Sequence, residues 1–287
     1  KIFDNIWVQP AAGDAGGSLG AALALWYLEQ GNKRKVNAND DMRGSYLGPE
    51  FSQDEIEKDL ETAGANFETL NYEDLIDKTS EFLSYEKAIG WFQGRMEFGP
   101  RALGGRSILG DPRSNKMQKN LNLKVKYRES FRPFAPSILR EDLFEWFDIS
   151  VDSPYMLLVA NVVLEKKIKM TDEQKKLFGI DKLNIRRSEI PAVTHVDYSA
   201  RVQTVGKNYN KRYYDLILKF KEKTGCPLII NTSFNVRGEP IVNTPLDAFN
   251  CFMGTELDYL VIGNCILDKK KQNPNLKKNY SVKFELD

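Results

Sequence analysis

Arg95, Arg101 and Arg106 fall in one glycine-rich run, "GRMEFGPRALGGRS", Gly94 to Ser107, with Glu97 as its only acid. Like charges held this close call for an anion to balance them. A guanidinium presents a planar fork of donors that matches the oxygens of phosphate or carboxylate. Gly94, Gly99, Gly104 and Gly105 let the backbone approach an anion and offer it their own N–H groups. The chemistry pointed to is the binding of a polyanion such as ATP or an acyl phosphate. The competing reading is a solvated charged face. No GxxxxGK[ST] motif occurs, so the run is not a Walker A loop.

Three further blocks carry candidate ligands. "KVKYRESFRPFAPS" adds Lys126, Arg128 and Arg132, with Pro133 and Pro136 stiffening the backbone behind Arg132. "IINTSFNVRGEPIV" runs an apolar strand into Asn231, Thr232, Ser233 and Asn235. Small polar side chains at the C-terminal end of a strand are where open α/β sheets bind ligands, and an Asx-rich turn closing a strand reads equally well. "THVDYSARVQTV" alternates His195, Asp197 and Arg201 with apolar residues; a lone histidine there reads as structural.

These blocks need elements to hold them. Strand patterns ("KAIGWFQ", "RSILG", "PYMLLVANVVL", "AVTHVDYSARVQTV", "CPLIINTSF", "DYLVIGNCIL") alternate with helical ones, which predicts an α/β fold on a sheet with some antiparallel pairing. Ser52 and Glu55 form a capping box ahead of a helix. Asp111 and Pro112 read as N-cap and first residue of another. "KRYYDLILKFKEKTG" and "PLDAFNCFMG" are further helices, residues 165–188 a charged exposed insertion, and "YSVKFELD" an edge strand. A helix over about Leu19–Gln30, stopped by Gly31, precedes a polar linker, and a domain boundary falls near Ser45. Leu19, Ala22, Leu23 and Trp26 recur at helical spacing, so they need a surface to pack on.

Of 287 residues, 41% are hydrophobic and 28% charged, an ordinary globular composition. Net charge is +1, yet Gly94–Arg132 holds ten Lys+Arg against three acids, a local balance of +7 that leaves −6 elsewhere. Concentrated basic charge favours a discrete anion site over a generally basic surface. No apolar run approaches the roughly 20 residues of a membrane helix. Cys226, Cys251 and Cys265 lack metal-ligand spacing and read as buried free thiols in a reducing, cytoplasmic setting. His195 is the only histidine, which excludes a multi-histidine metal site within the sequence.

Together "GRMEFGPRALGGRSIL", "FRPFAPSIL", "THVDYSARVQTV" and "NTSFNVRGEPIV" resemble the signatures of the O-carbamoyltransferase family, which includes the nodulation-factor and tobramycin carbamoyltransferases. The resemblance implies two domains. Residues 1–44, with "GDAGGSLGAAL", would be the end of an actin/Hsp70-like N-terminal domain, and residues 45–287 a YrdC-like domain built on an open twisted mixed sheet with flanking helices. It implies that carbamoyl phosphate and ATP give carbamoyl-adenylate and pyrophosphate, with Mg²⁺ on the nucleotide. The carbamoyl group then passes to an acceptor hydroxyl in the N-terminal domain, which this chain lacks. It also implies site residues. Arg101, Lys126 and Arg132 would be catalytic, and Arg95, Arg106, Arg201, Asn231, Ser233 and Asn235 would bind ATP and carbamoyl phosphate. Asp14 would ligate a metal ion, iron, only in a full-length protein that supplies the histidines. Membrane partners are not implied. An RNA-binding module and a non-catalytic docking domain are the alternatives, and the first is disfavoured because Phe98 and Phe131, flanked by Gly and Pro, look structural rather than stacking.

Overall fold

The computed structural model describes residues 7–37, 40–183, 185–278 and 280. Among them ten strands form one mixed sheet: β1 Glu68–Thr69, β2 Ile89–Phe92, β3 Arg106–Gly110, β4 Ala135–Leu139, β5 Phe147–Asp148, β6 Leu158–Val162, β7 Ser199–Val205, β8 Leu228–Ser233, β9 Tyr259–Ile262 and β10 Cys265–Asp268. The order is β1-β10-β9-β2-β3-β8-β4-β7-β6-β5. Only β2/β9 and β4/β7 pair in parallel. The described helices are α1 Asp14–Ala24, α2 Gln53–Thr62, α3 Tyr72–Ser84, α4 Met117–Leu121, α5 Leu143–Trp146, α6 Asp172–Lys175, α7 Gly179–Leu183, α8 Lys211–Thr224 and α9 Pro245–Gly254. The α/β class and open mixed sheet flanked by helices are those read from the sequence.

The central strands β2, β3, β4 and β8 are buried along most of their length, so they need cover on both sides. Helix pairs α3–α8 and α2–α9 supply it. Their local signals are plain. The Ser52–Glu55 capping box opens α2, Asn210 caps α8, Gly225 at φ 74° ends it, and a Thr244–Asp247 capping box opens α9 behind Pro245 at its start.

Four expectations are corrected. Asp111 does not cap a helix: its carboxylate takes the Arg113 guanidinium at 2.6 Å, and α4 starts at Met117, where Ser114 Oγ accepts the Met117 N–H at 3.1 Å. The strand expected from Ala192 begins only at Ser199, because a turn forms with Tyr198 at φ 66° and Asp197 Oδ1 accepting the Ser199 N–H at 3.0 Å. "DYLVIGNCIL" is two strands, β9 and β10, reversed at Gly263 (φ 55°). Finally α1 starts at Asp14, continues through a π-helical turn at Leu25–Glu29, and buries nothing. Trp26 is 52% and Leu28 79% exposed, so the surface that the spacing of Leu19, Ala22, Leu23 and Trp26 calls for is not supplied by the rest of the described residues. The expected C-terminal edge strand, 280–287, lies outside the described residues except for Tyr280. No helix among the described residues is long and apolar enough to cross a membrane.

Candidate anion-binding site

The arginine run folds around its one acid. Glu97 is buried, and its Oε1 accepts the N–H of Leu103 at 2.6 Å and of Gly105 at 2.7 Å. The Gly104 N–H donates to Ser107 Oγ at 3.1 Å. These glycine N–H groups therefore organise the loop and are not offered to a ligand, contrary to the sequence-based expectation. Gly104 has a packing reason instead: at φ 106° a Cβ would lie 2.4 Å from the buried Tyr213 ring. The loop so fixed leaves Arg101 free, and among the described residues its side chain has no hydrogen-bonding or acidic partner.

Opposite the loop, the sheet register gathers polar side chains on one face. Asn231 on β8 pairs with Ala135 on β4, and Ser137 on β4 pairs with Gln203 on β7; residues paired this way, and those two apart, share a face. Gln203 ties the face together. Its Oε1 accepts from Ser137 Oγ at 2.5 Å and Asn231 Nδ2 at 2.8 Å, and its Nε2 donates to Leu103 O at 2.9 Å. Asn231 Nδ2 also donates to Ala102 O at 3.0 Å, which joins strand to loop beside Arg101. The amide hydrogens are thus committed, and Asn231 Oδ1 is left as a bare acceptor.

A cavity of about 180 Å³ results, lined by Arg101, Arg128, Met156, Arg201, Asn231 and Ser233 among others. Three buried polar atoms belonging to its lining residues have no partner among the described residues: Arg101 Nε, Arg201 Nε and Asn231 Oδ1. Buried polar atoms are rarely left so, because each costs about 1–3 kcal/mol. No acid lines the cavity. Burial, then repulsion from Arg101, lowers the Arg201 pKa; burial, then Arg132, lowers that of Arg128. Arg128 is held in place by Asn122 Oδ1 at 2.7 Å and lies 5.0 Å from the Phe134 ring centroid. A site of this kind accepts an anion that also has an N–H to donate.

The structure brings Arg101, Arg201, Asn231 and Ser233 together. It sends the other expected residues elsewhere. Lys126 is buried behind Ser233, donating to Ser233 Oγ at 3.1 Å and to Asn235 O and Oδ1 at 2.9 and 2.8 Å. Lys126 and Asn235 therefore form the clamp that sets the end of β8, and neither lines the cavity. Arg132 is 47% exposed and bound to Glu129 at 2.9 Å. Arg95 bonds Glu50 at 3.4 Å and Gly48 O at 3.1 Å, at a separate cavity. Arg106 lies outside the cavity. It is fully buried over the Phe92 ring and donates to the carbonyls of Gln93, Gly94, Gly105 and Pro49, a structural role that the sequence did not indicate. Asp14 is exposed, and among the described residues no group of three His, Cys, Asp or Glu could hold a metal ion, so the residues present do not fit one there. His195 is exposed in its turn. Gln203 went unread, although its place two residues past Arg201 put it on the same face; no sequence signal marks Met156.

A family model described as the carbamoyltransferase C-terminus matches residues 80–269, which contain every residue of the cavity. The chain belongs to this family. It is 55% identical, over 99% of its length, to an uncharacterized protein of Synechocystis. It is 40% identical over 95% of its length to the nodulation protein NolNO of Sinorhizobium fredii, and 39% over 94% to the nodulation protein NolO of Bradyrhizobium diazoefficiens. The match covers 47%, 37% and 45% of those proteins, so the chain spans less than half their length.

Proposed function

We propose that the Arg101–Arg201–Asn231 cavity is the adenylation site of an O-carbamoyltransferase, taking carbamoyl phosphate and ATP. Water opens carbamoyl phosphate to carbamate and phosphate. The carbamate oxygen then attacks the α-phosphorus of ATP, forming carbamoyl-adenylate and expelling pyrophosphate. The observation that carries this reading is the set of three orphaned polar atoms, two guanidinium N–H donors and one amide acceptor. Arg101, Arg201 and Arg128 would hold the phosphates and offset the repulsion between two anionic reactants. Asn231 Oδ1 would accept a hydrogen bond from the carbamoyl NH₂. The adenylation step needs no general base, because carbamate is already anionic. At about 180 Å³ the cavity is smaller than the roughly 300–1,000 Å³ of pockets that enclose drug-sized ligands, so it takes the reacting anionic end while the rest of the nucleotide projects outward. Mg²⁺ would arrive on the nucleotide, since no lining acid offers it a ligand. Transfer to the acceptor hydroxyl, and any metal at Asp14, would belong to a longer protein that brings an actin/Hsp70-like domain. Three buried free thiols suit a cytoplasmic enzyme.

The test is carbamoyl-phosphate-dependent exchange of labelled pyrophosphate into ATP. Wild type should exchange without carbamoylating an added hydroxyl acceptor, and Arg101→Ala should lose at least tenfold in exchange. Equal exchange by Arg101→Ala and wild type would sink the site assignment.

A further inference from the structure

A second cavity, of about 230 Å³, opens between α4 and the segment 185–187, away from the one described above. Its lining includes Asn115, Lys119, Ser130, Arg186 and Arg187, and no aspartate or glutamate. Arg187 is only 7% exposed, and burial lowers its pKa; one of its guanidinium nitrogens is committed to Lys182 O at 2.6 Å. Around it stand donors without partners among the described residues: the Lys119 ammonium, the Asn115 amide and the Ser130 hydroxyl. Arg186 uses Nε on Ser188 O at 3.3 Å, which leaves its terminal nitrogens available. Of the acids near the lining residues in sequence, Glu129 is engaged with Arg132, Glu189 with Lys166 and Asp111 with Arg113. Two exposed cations, Lys119 and Arg186, and two neutral donors line this concave, acid-free pocket over the buried Arg187, a set matched by a compact oxyanion of high charge.

We propose that this cavity is a second anion site of the chain, binding a phosphate-type oxyanion. The proposal does not depend on whether the Arg101 cavity adenylates carbamate. Ser130 lies on the loop that Asn122 Nδ2 anchors through Ser130 O and Arg132 O, three residues before Pro133 of the first cavity. An occupant of the second site therefore touches the same loop.

The experiment is calorimetric titration of the whole chain with pyrophosphate and, separately, inorganic phosphate. Wild type should bind two pyrophosphates. Lys119→Ala/Arg186→Ala, which alters exposed side chains, should bind one, with the lost site weakened at least tenfold. Arg101→Ala/Arg201→Ala should keep the site that the first pair loses. Much tighter binding of pyrophosphate than of phosphate would identify a diphosphate as the occupant; equal binding would identify a single phosphoryl end. Unchanged stoichiometry and affinity in Lys119→Ala/Arg186→Ala would overturn the proposal, as would loss of all binding in Arg101→Ala/Arg201→Ala.

Discussion

Arginines of one sequence cluster do different jobs, and burial sorts them. Arg106 is a structural strut, Arg132 a surface ion pair, and Arg101 and Arg201 have no acidic partner among the described residues, Arg201 Nη2 donating to Met156 Sδ at 3.9 Å. Charge-assisted contacts contribute about 1.5–3 kcal/mol, so Arg201→Ala should weaken pyrophosphate binding at the first cavity tenfold or more. Arg132→Ala removes an exposed pair worth at most about 1 kcal/mol and should change that binding less than threefold. Comparable losses in the two variants would return Arg132 to the site. Lys126 gives a pH signature. Burial first, and then the Arg128 charge, lowers its pKa from 10.5 to about 7. Between those values the unfolded chain binds a proton that the folded chain does not. Wild type should therefore gain stability relative to Lys126→Met as pH rises from about 7 to about 10.5, by at most about 1.4 kcal/mol per unit. Urea denaturation of both proteins across that range checks it, and parallel curves would mean the amine stays protonated throughout.

The elements that present these residues are held by side chains as much as by strands. The 97–106 loop has no regular structure before β3; Glu97 replaces the missing ladder by accepting its N–H groups. Gly104 is where loop, Trp91 and α8 meet: its carbonyl accepts from Trp91 Nε1 at 2.9 Å, and the Tyr213 ring covers its Cα. Gly104→Ala should cost roughly 2–4 kcal/mol, overpacking and backbone strain together, read as a fall in the urea midpoint. A variant as stable as wild type would show that Tyr213 can yield. Caps and amphipathic spacing made α2, α8 and α9 legible in advance. The Asp111–Pro112 signal failed because a neighbouring arginine outcompeted the helix N-terminus for the carboxylate.

Across the whole molecule, one open sheet carries two cation-lined cavities joined by the 130–134 loop, while α1 stands outside the core. Leu28 is 79% exposed and packs against nothing in the core, so Leu28→Lys should change stability by no more than about 0.5 kcal/mol. A larger loss in denaturant titration would show that α1 packs after all. Composition gave no hint of this split, because Leu19, Ala22, Leu23 and Trp26 recur at helical spacing and yet α1 buries none of its residues.

Sequence alone determined the α/β class, most strands and helices, the concentration of basic charge in Gly94–Arg132, and the polar strand end at Asn231–Ser233. Those follow from local periodicity, capping chemistry and residue type, which need no knowledge of distant neighbours. Only tertiary structure decided which cations face a ligand. That depends on register, which sets Asn231 beside Ala135 and Gln203, and on burial, which hides Arg106 and Lys126 among carbonyls while leaving Arg101 and Arg201 without an acid among the described residues. A guanidinium has the same charge in either place; what differs is whether the fold has already supplied its oxygens.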